Sequence, residues 1–315
     1  MDLNSEYNAI RINNDNIIDF TDIYQEAFGR KISINSQRKK FKTSSFAGIE
    51  NIGYLIYHES GEPVAFYGVY PIYVYINKQR VLAAQSGDTM TKSAHIGLGL
   101  FISAAELTYN LSKENHIIGV FGFPSPTSFP TFKRKLNWKF VDALRKYKFF
   151  VPTIPISILA RKINFINCIY LWWVRIVLSF YKKSDIFESS VIANGQDGIC
   201  RDEEFWKYKM NSKSNFAIQI GETSVVFKAD GSLSIGDISV DKESVIKPIL
   251  RRIQWLAFLT FNIHVVFYVS PGTVLDEKLN SLKKSTKGLP IGFLNLGDEI
   301  DFSTLKFTCF DFDTF

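Results

Sequence analysis

The chain has 315 residues, of which 46% are hydrophobic and 22% are charged, a composition that excludes an intrinsically disordered protein. Lys and Arg outnumber Asp and Glu by 37 to 31, and the net charge of +6 suits phosphorylated ligands, RNA or an anionic surface. Three separated cysteines and four scattered histidines exclude a disulfide framework and a zinc site, and they predict a cytoplasmic protein with reduced thiols.

The first 150 residues alternate between strand and helix patterns. Apolar spacing predicts a helix over 17–28, and glycine-containing turns separate four strands of a meander. A second helix opens after a pair of glycines, and a buried strand and a short basic helix follow it. The predicted strands are 53–58, 63–70, 71–76, 80–91 and 116–123, and the short basic helix is 128–135.

Residues 163–181 are nearly all apolar, but Asn164, Asn167 and Arg175 interrupt them. An Arg at the centre of a membrane span costs about 2.5–3.5 kcal/mol on insertion scales. We therefore expect a helix buried between domains, without stable membrane insertion. A transmembrane span and a helix lying on a membrane surface are the alternatives, the latter with flanking cations at Arg161, Lys162, Lys182 and Lys183.

The second half repeats the order of elements in the first half, which predicts a degenerate structural repeat. We predict a helix over 201–210, a meander over 215–240, a second helix over 244–261, a strand over 263–270, a third helix over 276–288 and a final strand over 304–315. The predicted organisation is an amino-terminal domain over 1–150, a helical connector over 151–195 and a carboxyl-terminal domain over 196–315.

A glycine-rich turn joins strand 80–91 to the following helix. Gly97 and Gly99 allow backbone N–H groups to approach an anion, and the helix dipole favours negative charge there. The turn matches neither the dinucleotide fingerprint nor the P-loop. Close packing between a helix and a strand explains such a glycine pair about as well as a ligand does.

Three stretches resemble the GNAT superfamily of N-acetyltransferases, most closely its tandem-domain branch among bacterial surface-sugar N-acyltransferases. Residues 88–101 resemble the strand and acyl-CoA pyrophosphate loop of that family. Residues 122–129 and 135–138 resemble its Gly-Phe-Pro-Asn-x-x-Ser-Tyr and Lys-Leu-Gly-Trp motifs, and 201–208 resemble an Arg-Asp-x-x-Phe-Leu-x-Trp-Arg-Tyr stretch. The resemblance implies an α/β fold with a mixed sheet, arranged as two tandem GNAT-like domains of which the second is degenerate.

Acyl-CoA is the donor that the resemblance implies. Ala94 replaces a frequent Gln or Arg, so backbone N–H groups and Lys92 would bind the pyrophosphate. Phe129 replaces the Tyr that protonates the departing thiolate in many members. The expected donor contacts are Met90, Thr91, Lys92, His95, Ile96, Gly97, Leu98, Gly99, Leu100, Phe101, Ser125 and Lys133.

An ammonium acceptor must lose a proton before it attacks a thioester. Asp88, just before the glycine turn, is the candidate base, although an Asp after Gly87 can equally end or bulge the strand. The terminal carboxylate of Phe315 is the rival base, and Ser128 is a candidate for binding, for proton donation or for capping the short helix.

The acceptor class also follows from the resemblance. It implies transfer of an acetyl or short hydroxyacyl group to an amino sugar linked to dTDP or UDP, for O-antigen, lipopolysaccharide or capsule synthesis. An aminoacyl-tRNA-dependent peptidoglycan transferase and a non-enzymatic binding protein are the alternatives. The expected acceptor contacts are Tyr70, Gln85, Phe129, Arg201, Trp206 and Tyr208.

Overall fold

The computed structural model describes residues 4–29, 31–297 and 300–315. The chain forms two compact units, and neither unit is continuous in sequence. The first consists of Met1–Val141 and Ile291–Ser303, and the second of Asp142–Pro290 and Thr304–Phe315. These units differ from the domains predicted from the sequence, because the predicted connector 151–195 lies in the second unit and a late strand returns to the first.

The first unit places helices on both faces of a mixed sheet. Its elements are β1 (Tyr7–Arg11), α1 (Ile17–Phe28), α2 (Ile34–Phe41), α3 (Ser44–Ala47), β2 (Ile52–His58), β3 (Pro63–Ile76), β4 (Gln79–Thr91), α4 (Leu100–Glu114), β5 (Gly119–Gly122) and α5 (Phe129–Arg134). Strands β1 to β4 are antiparallel neighbours, and β5 runs parallel to β4 because α4 carries the chain back.

Side-chain alternation along β3 divides the first unit into two hydrophobic layers. Phe66 and Tyr70 pack with α1 and α2, whereas Tyr67 and Val69 pack with α4 and α5. Successive residues of a strand point to opposite faces, so neighbours such as Phe66 and Tyr67 fall in different layers.

The second unit has a similar order of elements. These are β6 (Lys139–Phe150), α6 (Ile156–Lys162), α7 (Asn164–Leu178), α8 (Ser190–Ala193), β7 (Gly198–Ile199), α9 (Glu203–Met210), β8 (Asn215–Ile220), β9 (Thr223–Ala229), β10 (Leu233–Ile238), α10 (Ile246–Leu259), β11 (His264–Val269), α11 (Val274–Asn280) and β12 (Thr286–Asn295). The meander β8–β9–β10 leads through α10 into β11, which is parallel to β10 as β5 is to β4. β12 extends into the first unit, where Gly292–Asn295 pair with β5.

Three predicted elements are wrong. β3 is one strand rather than two, because Pro71 stays in register with Ala84. The chain end at 304–315 forms 3₁₀ turns instead of a strand, and Thr308 and Asp311 close a capping box there. The residues predicted to end a helix at Gly288 belong to β12.

The helix predicted to be buried at 163–181 is α7, and it is only half buried. Tyr170, Leu171, Val174 and Val177 pack into the core of the second unit. Phe165 and Trp172 on the other side are 74% and 61% exposed, so the expected burial is wrong for that face. Among the described residues, no helix combines the length and hydropathy that a membrane crossing needs.

Candidate functional site

The predicted glycine turn forms an uncapped helix start. After a 3₁₀ turn at Ser93–His95, Gly97 and Gly99 both adopt left-handed conformations, with φ of 92° and 79°. Gly99 is the N-cap residue of α4, and no side chain of the described residues caps the helix. Helix geometry therefore leaves the N–H groups of Leu100 and Phe101 without an acceptor inside the helix. An added Cβ at Gly97 would meet no atom within 4 Å. The turn therefore presents backbone donors and a helix dipole to open space, which suits an anion.

Two acidic side chains hold this turn in place. Glu26 accepts hydrogen bonds from the backbone N and the Oγ of Ser93, both at 3.0 Å. Lys92 lies 2.8 Å from Glu62, and this ammonium lowers the pKa of the Glu62 carboxyl. Lys92, predicted as the nearest cation for a pyrophosphate, is thus already paired in this structure.

The other predicted donor contacts offer different groups. His95 shares a 3.0 Å hydrogen bond through Nδ1 with the Tyr7 hydroxyl, so Nε2 is the nitrogen that remains for a ligand. Leu100 packs into the α4 layer and Met90 into the α1–α2 layer, and both are buried. The Met90 side chain is part of the core, and the predicted role of Met90 in donor binding remains a prediction. Thr91 is the last residue of β4. Ile96 and Leu98 are exposed, and Phe101 is half-buried.

Strands β4 and β5 are paired over a short distance only. Their parallel register comprises Ala84 with Val120 and Gln85 with Phe121. β5 ends at Gly122, whereas β4 continues to Thr91. Beyond Gln85, the backbone edge of β4 that faced β5 is therefore open within the described strands, immediately before the anion-binding turn.

A β-bulge lies in this open part of β4. Gly68 pairs with Gly87, and the next pair is Phe66 with Met90, so Asp88 and Thr89 together oppose one residue of β3. Asp88 has a φ of 43°, in the left-handed region. Such a bulge turns a side chain out of the regular alternation. The structure thus contains the bulge at Asp88 that the sequence offered as an alternative.

The bulge directs Asp88 toward α2. Its Oδ2 lies 2.6 Å from Lys40 Nζ and also accepts a hydrogen bond from the Tyr70 hydroxyl. Lys40 in turn lies 4.8 Å from the centre of the Tyr70 ring. Both contacts use the same carboxylate oxygen, so Oδ1 is the oxygen that remains for an acceptor. Lys40 was not predicted, because nothing in the run Arg38-Lys39-Lys40 shows which cation faces the sheet.

An ordered hydrogen-bond chain crosses the α4 layer. The Trp138 indole donates to Tyr109 at 3.0 Å, the Tyr109 and Tyr67 hydroxyls are 3.1 Å apart, and Tyr67 donates to Ser86 Oγ at 2.9 Å. Burial raises the pKa of both tyrosines, which keeps them protonated. Ser86 ends the chain at the open edge of β4, and it was not predicted because only the fold brings these four residues together.

Gln85, one of the predicted acceptor contacts, has a side-chain amide nitrogen that is available to a ligand. It lies opposite Tyr70 in the sheet and its side chain is buried. Its Nε2 has no hydrogen-bond partner among the described residues. A buried donor without a partner costs about 1–3 kcal/mol, so this amide nitrogen is suited to a ligand oxygen.

The short helix α5 carries the remaining predicted residues of the first unit. Ser128 is the N-cap residue without a side-chain capping bond, and its Oγ lies 3.1 Å from the Oγ of Ser125. Phe129 packs against Phe140 with ring centres 4.6 Å apart. Lys133 is exposed and lies 5.9 Å from the Phe129 ring centre.

Arg201, predicted to bind the acceptor, is a buried structural residue. Its guanidinium contacts Asp237 and lies 2.8 Å from Asp311 and from Thr308 Oγ1. The Arg201 and Asp311 side chains are each 1% exposed. Two buried carboxylates pair with Arg201, and its predicted role in acceptor binding remains a prediction.

The other predicted residues of the second unit are also packed into it. Trp206 is buried against Phe310, with ring centres 4.7 Å apart, and its Nε1 has no hydrogen-bond partner among the described residues. Its predicted substrate contact remains a prediction. Tyr208 is half-buried on the same helix. The side chain of Phe315 packs on Gly236 and Phe310. The role predicted for its carboxylate remains a prediction.

No protein-family model and no curated protein matches this sequence. Solved structures do match it. A GCN5-related N-acetyltransferase from Kribbella flavida superposes with a TM-score of 0.56 at 13% identity, covering 92% of this chain and 72% of that one. An N-myristoyltransferase from Saccharomyces cerevisiae with bound myristoyl-CoA gives a TM-score of 0.57 at 10% identity, covering 93% and 83%. A GCN5-related N-acetyltransferase from Anabaena variabilis gives 0.54 at 13% identity, covering 92% and 73%. These likenesses show the fold, an α/β arrangement with a mixed sheet like that of the GCN5-related N-acetyltransferases.

Proposed function

We propose that this protein transfers an acyl group from acyl-CoA to a primary amine. The observation that carries the proposal is the uncapped start of α4, where two left-handed glycines expose backbone donors next to the open edge of β4. The pyrophosphate of CoA would bind these donors, as anions do at helix amino termini. The pantetheine arm would then follow the unpaired backbone of β4 toward Ser86 and Asp88.

Two side chains fit the proton transfers of this reaction. The amine nitrogen attacks the thioester carbon, the new C–N bond forms, and the C–S bond breaks to release the CoA thiolate. Oδ1 of Asp88 would accept the proton of the acceptor ammonium. The hydroxyl of Ser86, supported by the chain from Trp138, would give a proton to the thiolate, a role that Phe129 cannot perform. The nitrogen of the tetrahedral adduct would lose its second proton through solvent, which would restore the Ser86 hydroxyl, and Asp88 would release its proton to solvent. Gln85 Nε2 would donate to an oxygen of the acceptor.

An amino sugar linked to dTDP or UDP is the acceptor that we propose. The resemblance of the motifs at 88–101, 122–129 and 135–138 supports this acceptor. Arg201 and Trp206 add no support, because both side chains are buried and do not offer a nucleotide pocket. The second unit, with its own meander, helix and parallel strand, would be the degenerate member of a tandem pair. The site of reaction would then lie in the first unit, in a cytoplasmic enzyme.

Turnover of acetyl-CoA tests the proposal. The purified chain is incubated with acetyl-CoA and a panel of amines that includes dTDP- and UDP-linked amino sugars, and free thiol is followed with Ellman's reagent. We expect thiol release that depends on the amine and is insensitive to RNase. Transfer of an aminoacyl group from an aminoacyl-tRNA, with no thiol released from acetyl-CoA, would change the donor class and favour the peptidoglycan transferases. Absence of saturable CoA binding by calorimetry would overturn the proposal itself.

A further inference from the structure

The exposed side of α7 is a continuous apolar stripe. Phe165, Ile169 and Trp172 follow one another at intervals of four and three residues, which places them on one helix face. All three are exposed, although the opposite face of the same helix is core. Exposed aromatic side chains grouped in this way mark an interaction surface rather than ordinary protein surface.

A second helix extends the stripe. Trp173 of α7 donates through Nε1 to the carbonyl oxygen of Leu259 at 2.9 Å, which joins α7 to the end of α10. On α10, Trp255 and Phe258 are exposed and stack with ring centres 5.2 Å apart. The carbonyl of Phe258 also accepts from Thr153, the neighbour of the exposed Ile154. The tryptophan face is defined here as Ile154, Phe165, Ile169, Trp172, Trp255 and Phe258.

The two chain segments that carry the tryptophan face contain no acidic residue. Residues 143–184 and 244–275 contain Lys and Arg but no Asp or Glu. Arg161 and Lys162 directly precede α7, and Lys182 and Lys183 follow it. Arg251 lies one turn before Trp255 on the exposed side of α10. Arg161 is paired with Asp230, with 3.6 Å between its Nε and the carboxylate Oδ1. An anionic partner therefore meets cations at both ends of α7 and on α10.

We propose that the tryptophan face docks reversibly on an anionic phospholipid bilayer. Trp and Phe are the side chains that enter the boundary between headgroups and acyl chains, and Lys and Arg bind anionic headgroups. With 15 residues, α7 is about 22 Å long, shorter than the roughly 30 Å hydrocarbon core, so it lies in the interface and does not cross it. A symmetric pair of copies would place basic rims against each other, which disfavours a dimer through this face. The inference is independent of the proposed activity.

Vesicle flotation of the full chain tests the inference. We expect recovery with equimolar phosphatidylcholine and phosphatidylglycerol vesicles, loss of recovery at high salt, and little recovery with phosphatidylcholine alone. The double variant Phe165→Asp/Trp172→Asp should reduce the partition coefficient by at least about tenfold. The matched control is Ile18→Asp, which removes an exposed apolar side chain of α1 outside the face and should leave binding unchanged.

Charge reversal separates the electrostatic part. Lys182→Glu/Lys183→Glu should reduce binding to the anionic vesicles by at least about fivefold for each lysine, since one basic residue near such a surface contributes about 1 kcal/mol and the new carboxylate is repelled. Lys113→Glu, on α4 of the first unit, serves as the control. Circular dichroism confirms that each variant is folded.

Cys168 provides an independent readout, because it is the exposed cysteine of α7 while Cys200 and Cys309 are buried. A polarity-sensitive dye on Cys168 should shift to the blue with anionic vesicles. Equal recovery of wild type and Phe165→Asp/Trp172→Asp would overturn the inference. So would a wild-type dimer that ignores vesicles and dissociates in the double variant, because the face would then be occupied by a second copy.

Discussion

Replacement of Gly97 by Glu tests the anion-binding turn without knowledge of the acceptor. A Cβ at this position points into open space, so a longer side chain would project where the pyrophosphate is proposed to bind. The substitution should therefore lower both the folding stability and the affinity for CoA, for two separate reasons. The left-handed backbone, with φ of 92°, costs an L-residue about 1–2 kcal/mol of folding stability. The carboxylate repels a phosphate charge by about 3 kcal/mol at roughly 5 Å and an effective dielectric constant of about 20.

Gly61 offers a matched control for the backbone cost. It has a φ of 83° in the turn between β2 and β3, and an added Cβ there also meets nothing within 4 Å. Gly97→Glu and Gly61→Glu should therefore lose similar stability in urea denaturation. In calorimetry with CoA, Gly97→Glu should weaken binding more than about a hundredfold, whereas Gly61→Glu should bind as wild type does.

Gly97→Ala completes the comparison, because it shares the backbone cost without the charge. Its CoA affinity should fall less than about tenfold. If Gly97→Glu binds CoA with the wild-type dissociation constant, the turn does not bind the pyrophosphate. If Gly61→Glu loses CoA binding as well, the loss in Gly97→Glu reports strain rather than a site, and the reasoning from the helix start fails.

Three further predictions concern the remaining groups. Ser86→Ala should lower kcat by roughly 10²–10⁴ at unchanged CoA affinity, whereas Tyr67→Phe, which keeps the serine hydroxyl, should lower kcat less; equal effects would contradict proton donation by the serine. Asp88→Asn should lower the rate at neutral pH by roughly 10²–10⁴, and an extension of the carboxyl terminus should not; the reverse result would assign the base to the chain end. Arg201→Met should reduce the free energy of unfolding by about 3–5 kcal/mol in urea denaturation. Burial already raises the pKa of the Asp311 carboxyl, and loss of the Arg201 charge raises that pKa further. The destabilisation in Arg201→Met is therefore largest above that pKa, where Asp311 is ionised without a cation, and it should be smaller at pH 5 than at pH 7.5. A loss of stability that is equal at both pH values would contradict the buried-charge account.

Local patterns predicted much of the first unit. Turn residues and apolar alternation place β2 and β4 within a residue or two, and the glycine pair places the start of α4. The last strand was missed because 286–295 contains Gly288, Pro290 and Gly292, which argue against a strand. The aromatic alternation at 304–315 imitates a strand, but its side chains become buried through turns.

Contacts between distant residues explain what the sequence could not show. Whether a cation pairs with Asp88 depends on how α2 packs on β4, and the sequence does not contain that packing. The same holds for Arg201, since its two carboxylate partners come from β10 and from the turn at 309–311. Backbone features such as the glycine turn are local and therefore predictable, whereas charge pairing requires the folded chain.

The return of β12 to β5 has a consequence for synthesis of the chain on the ribosome. Until Asn295 has emerged, β5 lacks the strand that pairs with Gly119–Gly122 and presents an open sheet edge. At about 5–20 residues per second, that interval lasts on the order of ten seconds or more. A fragment ending at residue 141 would keep this edge permanently, and open edges recruit other chains. Dissection of the protein into its halves should therefore yield aggregating material, and a soluble first unit would require residues 291–295 grafted after β5.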